Sequence, residues 1–242
     1  MDADNAEQKY WPPLNTEKKD LFLQGNGALS FSRAAKLTAR AFDEYISDPA
    51  HPVPYINSTA IGMTREYMDD DQRFAATRPD VLVYQTGPLT EPVTASGPVS
   101  ATLYVSTSGT DSDYVVKLID VFPDNTPDND PNPAGVKMGG YEMLVRGEPM
   151  RARFRNSYAK PEAMLPNKVT KVEFTLPDIN HSFLKGHRIM VQIQSSWFPL
   201  VDRNPQKFVN INKATEADFQ KATERVYHSA QYSSHLTINV LK

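Results

Sequence analysis

Several short runs of this chain alternate apolar and polar residues with a period of two. Leu103 and Val105 alternate with Thr102, Tyr104 and Ser106, and Val172, Phe174 and Leu176 with Lys171, Glu173 and Thr175. Farther on, Ile189, Val191 and Ile193 stand opposite Arg188, Gln192 and Gln194, and Leu236, Ile238 and Val240 opposite Thr237 and Asn239. A strand points successive side chains to opposite faces, so each run predicts a half-buried antiparallel strand. Segments 21–24, 81–86, 113–122 and 141–157 raise the total to about eight, the number an eight-stranded jelly roll needs. Val115, Val116, Leu118, Ile119 and Val121 are apolar on both faces, which predicts a central strand.

Two interruptions read as short surface helices. Residues 63–76 lack Pro and Gly and end just before Arg78-Pro79, where the pre-proline restriction disfavours further helix. Residues 215–226 open with Thr215 and Asp218 at capping-box spacing and place Phe219, Ala222 and Val226 on one stripe. The proline-rich stretch SDPAHPVPY at 47–55 predicts an extended strap. The expected organisation is an N-terminal arm, first strand, strap and helix over 1–76, followed by a jelly-roll β-sandwich over 77–242, together one domain.

Composition narrows the function classes. A hydrophobic share of 40% with 19 prolines against 11 glycines describes a globular protein with punctuated loops. The net charge of −3 offers no broad attraction to nucleic acid or anionic lipid, so neither partner is expected. No run approaches the roughly 20 apolar residues of a membrane-spanning helix, so a soluble chain is expected. Residues 1–10 lack the pattern of an export signal. An exported parent would carry its signal upstream, and the compartment stays open. With no cysteine, disulfides, thiol nucleophiles and thiolate metal sites are all excluded.

The search for chemistry returns mostly negatives. No G-x-S-x-G turn occurs. His187, Ser195 and Asp202 are close in sequence, but His187 and Ser195 on one strand would stand roughly 26 Å apart at about 3.3 Å per residue, which rules against a triad. The acidic loop with Asp124, Asp128 and Asp130 fails the EF-hand pattern, having Pro133 and Gly139 where Gly and Glu are needed. His181 and His187, flanking a turn at Lys185-Gly186, read as structural histidines. No metal or cofactor is expected. Arg151, Arg153 and Arg155 fall on one face of the strand expected at 141–157, a polar face read first as solvated and second as an anion clamp. In SSWFPLVDRNP, residues 195–205, bulky apolar groups adjoin charged ones in what should be a loop. Trp197, Phe198, Pro199, Asp202, Arg203 and Asn204 are therefore candidates for contact with another domain or the wall of a substrate site.

Longer motifs carry a resemblance. RPDVLVYQTGPL, TDSDYVVKLIDVFPD and KGHRIMVQIQSSWFPLVDRNPQ resemble the C-terminal domain of the X-Pro dipeptidyl-peptidase and cocaine-esterase (CocE/NonD) hydrolases. DEYISDPAHPVPY and REYMDDDQRFAATRPDV are most similar to the branch of α-amino-acid ester hydrolases and glutaryl-7-aminocephalosporanic acid acylases. The resemblance covers nearly the whole chain. It implies an all-β, galactose-binding-domain-like jelly roll, non-catalytic by itself. The Ser-Asp-His triad would sit on an α/β-hydrolase domain of the same or a neighbouring polypeptide, and relatives add oligomer contacts. The rival readings are a carbohydrate- or peptide-binding module and a pure oligomerisation domain.

Overall fold

The alternating runs form strands in the computed structural model, which describes residues 10–34, 41–59, 62 and 64–242. In chain order these are β1 (Thr16–Gln24), β2 (Ala28–Ser30), β3 (Phe42–Ser47), β4 (Val81–Gln85), β5 (Val93–Thr107), β6 (Asp113–Val121), β7 (Glu142–Arg151), β8 (Thr170–Phe183), β9 (Arg188–Gln194), β10 (Ala222–Tyr227) and β11 (His235–Leu241), with one short helix, α1 (Arg73–Ala76), before β4. Hydrogen bonds connect them in the order β3-β10-β5-β11-β1-β2-β4-β9-β6-β7, and β8 pairs with β5. The path folds over on itself into an all-β sandwich. Leu21, Leu103, Val105, Val172 and Leu236 from one half meet Tyr84, Val116, Leu118, Val191 and Ile193 from the other in a single core. As its two-sided apolar pattern predicts, β6 is buried along nearly its whole length, between β7 and β9.

Strands from the first fifty residues complete this sheet: β1 pairs with β11, and β3 with β10. Pro98 sits inside β5 because Gly97, at φ +118°, opens a bulge there and the register with β8 shifts.

Neither predicted helix forms as expected. Met63 lies outside the described residues, and within 64–76 the chain makes only a 3-10 turn at Glu66–Met68 and the four-residue α1. Between them Asp70 accepts from the Asn57 N–H at 2.7 Å and Asp71 from the Arg73 N–H at 3.1 Å, local bonds that compete with a continuous helix. At 215–226 the Thr215–Asp218 bonds form, but the turn ends at Asp218 and the chain continues as β10. Ala222 and Val226, four residues apart, share a face in a helix and in a strand alike. Pairing with β3 and β5 on both edges decides for the strand.

The other face of the β4-β9-β6-β7 half is covered. Residues 48–59, 64–78 and 195–201 lie over it, packing Tyr55, Ile56 and Trp197 on Val115, and Val53 and Ala75 on Val81. The strap is tied to the second segment by backbone bonds between Phe198 and both Val53 and Tyr55, each 2.9 Å.

Candidate interdomain surface

The loop after β9 divides its side chains between two directions. Trp197 and Asn204 point inward and are buried, whereas Phe198, Pro199 and Asp202 are exposed. Arg203 is clipped to the body, donating to the Pro49 carbonyl and to Glu216, each at 3.0 Å, with the Phe219 ring 4.7 Å away. Asn204 donates to Asp111 at 3.0 Å and to Asp113 at 2.8 Å, two buried carboxylates.

The same two carboxylates correct the reading of the arginines. Strand β7 ends at Arg151, Arg153 lies in a 3-10 turn (Ala152–Phe154), and no common strand face exists. Arg151 makes a two-pronged pair with Asp113 at 2.9 Å, and Arg153 is buried against Asp111 at 2.7 Å. Arg155 donates to the carbonyls of Ala152 and Glu162. All three are bound internally, so they are neither a solvated stripe nor a free anion clamp.

Behind these pairs lies a buried polar network. Glu224 accepts from Thr107 Oγ1 at 2.7 Å and Tyr114 OH at 2.8 Å. Gln206, with its amide oriented to accept from Ser47 Oγ, reaches Ser112 Oγ at 3.1 Å and Glu224 Oε1 at 3.3 Å. Tyr45 OH and Ser195 Oγ are 2.6 Å apart. Burial raises the Glu224 carboxyl to about 7 and raises Asp113 despite its Arg151 and Asn204 partners.

The three residues ruled out as a triad have separate engagements. Ser195 is with Tyr45 in this network, Asp202 is exposed, and His187 Nδ1 bonds Asp120 at 2.8 Å. His181 Nε2 meets the other oxygen of Asp120 at 2.9 Å, so both histidines are structural. In the acidic loop Asp128 is bound to Lys137 and to the Met138 N–H. Among the described residues no three His, Asp or Glu side chains converge in a way that could hold a metal ion.

A groove of about 430 Å³ lies beside β7, the end strand of the sheet path. Tyr67, Met68, Leu144, Trp197, Leu200 and Val201 give it a largely apolar lining, with Arg146 and Glu148 of β7 beside them. Gly147 forms its floor because a Cβ there would stand 2.8 Å from the Trp197 ring. Pro149 in the same strand has no N–H, which hinders strand addition at this edge and favours a partner that inserts side chains. The loop at 195–205 stood out in the sequence as an anomaly. Tyr67 and Met68 did not, since they sat in a segment expected to be helical. Lys117, inside an otherwise apolar strand, was the unread signal for polar groups beneath the groove.

Comparison with known proteins shows the family. Residues 2–237 match the family described as the X-Pro dipeptidyl-peptidase C-terminal non-catalytic domain. The cocaine esterase of Rhodococcus sp. (strain MB1 Bresler) is 32% identical over 242 residues, 98% of this chain and 40% of that protein. Among solved structures, an aminopeptidase from a marine sediment Thaumarchaeota archaeon is 46% identical with a TM-score of 0.88, over 96% of this chain and 38% of that one. An α-amino acid ester hydrolase is 45% identical with a TM-score of 0.85, over 92% and 36% respectively. The chain thus spans about 40% of the length of the curated relative it matches. Among the described residues no helix is long and apolar enough to cross a membrane.

Proposed function

Because the chain belongs to the family of X-Pro dipeptidyl-peptidase C-terminal non-catalytic domains, we propose that it serves as the accessory domain of an α/β-hydrolase that cleaves ester or amide bonds by acyl-enzyme chemistry. It docks on the catalytic domain through the groove beside β7 and the exposed loop at Phe198 and Pro199, and helps to wall the substrate site. The observation that carries this reading is the contrast at the loop. Asn204, Arg151 and Arg153 beside it are bound internally, while Phe198 in the loop and Met68 in the lining of a largely apolar groove stay exposed. Apolar side chains held in water beside a groove mark an interaction site.

The carbohydrate-binding alternative gains no support from the outer sheet face. Its aromatic row, Phe42, Tyr227, Tyr232 and Tyr104, is tilted by 55°, 70° and 44° between successive rings and offers no flat platform.

Two assays test the proposal. The purified chain should not turn over p-nitrophenyl esters or an α-amino-acid ester, and a fluorophosphonate should label none of its serines; a labelled serine would sink the reading. In the second, the α/β-hydrolase part of the related α-amino acid ester hydrolase, freed of its own C-terminal domain, is titrated with the chain. The wild type should bind, and Met68→Asp/Phe198→Asp should bind more than about tenfold more weakly, the loss of about 1.4 kcal/mol expected for interface anchors. No binding by the wild type, or equal binding by both, overturns the proposed docking face.

A further inference from the structure

Beneath the groove lies one charged group for which docking has no use. Lys117 stands mid-strand in β6, fully buried, opposite Gly147 of β7. Its Nζ donates to Gln72 Oε1 at 2.9 Å and lies over two rings, Trp197 at 5.2 Å and Phe74 at 5.8 Å. No carboxylate of the described residues reaches ion-pair distance from it. An ammonium enclosed in this way has lost its water and keeps only an amide oxygen and two ring faces, so its charged form is poorly supported.

The charged groups that face it come from two elements. On β7 stands Glu142, whose carboxylate accepts from Gln192 at 3.2 Å. On the covering segment stand Asp70, Asp71 and Arg73, the last two paired with each other. Burial lowers Lys117 to about 7, and burial together with Asp71 raises Glu142 to about 7. Trp197 connects this cluster to the surface. Its ring receives Lys117, meets Tyr67 edge-on at 5.9 Å, covers Gly147 and lines the groove.

We propose that Lys117 makes the groove proton-sensitive: the ammonium holds the Trp197 ring and the Gln72 segment against the sheet, and the neutral amine releases them. Across the same range Glu142 becomes a carboxylate beside Asp70 and Asp71, which adds repulsion under the covering segment and reinforces the release. The groove is therefore firm on the acid side of neutrality and looser on the alkaline side. That this modulates docking rests on the reading of the groove as the interdomain face; the titration of the groove itself does not.

The chain contains two tryptophans, so Trp11→Phe leaves Trp197 as the sole indole emitter. Its fluorescence should change with pH around a midpoint near 7, the change should lose most of its amplitude when Lys117→Met is added, and Glu142→Gln should move the midpoint to lower pH by removing a charge that favours the ammonium. A flat profile, or one that Lys117→Met leaves intact, overturns the proposal. Should Lys117→Met fail to fold, side-chain NMR of Lys117 in the otherwise wild-type chain decides. A midpoint below about 8.5 supports the switch, and one above it, toward the ordinary lysine value near 10.4, overturns it. Binding to the hydrolase part, measured on both sides of the midpoint, separates the two readings: a fluorescence transition with pH-independent binding removes only the link to docking.

Discussion

At Glu224 the burial of a carboxyl has a direct consequence for stability. In the folded chain it holds its proton to about 7, whereas an unfolded glutamate ionises near about 4.3. Between these values the folded state binds the extra proton, so this group's contribution to stability falls as pH rises from about 4.5 to about 7 and stays low above. Glu224→Gln keeps a neutral group and should flatten the profile. In urea unfolding at about pH 5 and about pH 7.5 the wild type should lose on the order of 2–3 kcal/mol more than the variant, and equal losses would mean that Glu224 is ionised in the fold. Asp120 is a second pressure point. Asp120→Ala deprives His181 and His187 of their shared acceptor and should lower stability by about 2–4 kcal/mol in the same assay. Arg153→Ala should cost about 3–5 kcal/mol, because Asp111 would be left buried without its cation. A loss under about 1 kcal/mol would show that Asn204 and the N–H of residue 153 satisfy that carboxylate without the guanidinium. None of these partnerships was visible in the chain: Asp111 and Arg153 are 42 residues apart, and Asp120 and His181 are 61.

At the scale of elements, legibility followed the repeat of the pattern. Strands β5, β8 and β11 could be read because one more deeply buried face imposes a period of two, and β6 as central because both its faces are apolar; β9, expected to be half-buried, is buried on both faces, its Gln192 and Gln194 included. Strand β10 was read as a helix because the spacing of Ala222 and Val226 satisfies both geometries, and only the two neighbouring strands decide between them. Strand β3 was missed because its outward positions Phe42, Glu44 and Ile46 mix apolar and charged side chains. Strand β7 yields a packing prediction. Gly147→Ala puts a methyl group against the Trp197 ring, and overpacking of this kind should cost about 1–3 kcal/mol. The same substitution should shift Trp197 emission, and a variant with unchanged stability and emission would show that the ring moves freely over the strand.

The whole molecule is a sandwich with a third, partial layer over one face, and that layer's rim forms the surface proposed for docking. The partner proposed for it corresponds to the part of the relatives that this chain does not span. From sequence alone followed the all-β class, the lack of a nucleophile-elbow motif and the family, because period-two burial and long ordered motifs are properties of the chain read in order. The direction of each polar side chain could not follow from it. SSWFPLVDRNP stood out as a loop in need of partners, but the fold turned Trp197 and Asn204 inward and left Phe198 and Pro199 outside. The expected arginine stripe became three separate internal anchors for the same reason. Burial of a polar group requires a partner, and those partners lie on distant strands, so only the tertiary structure decided which groups were satisfied within and which were left to meet another surface.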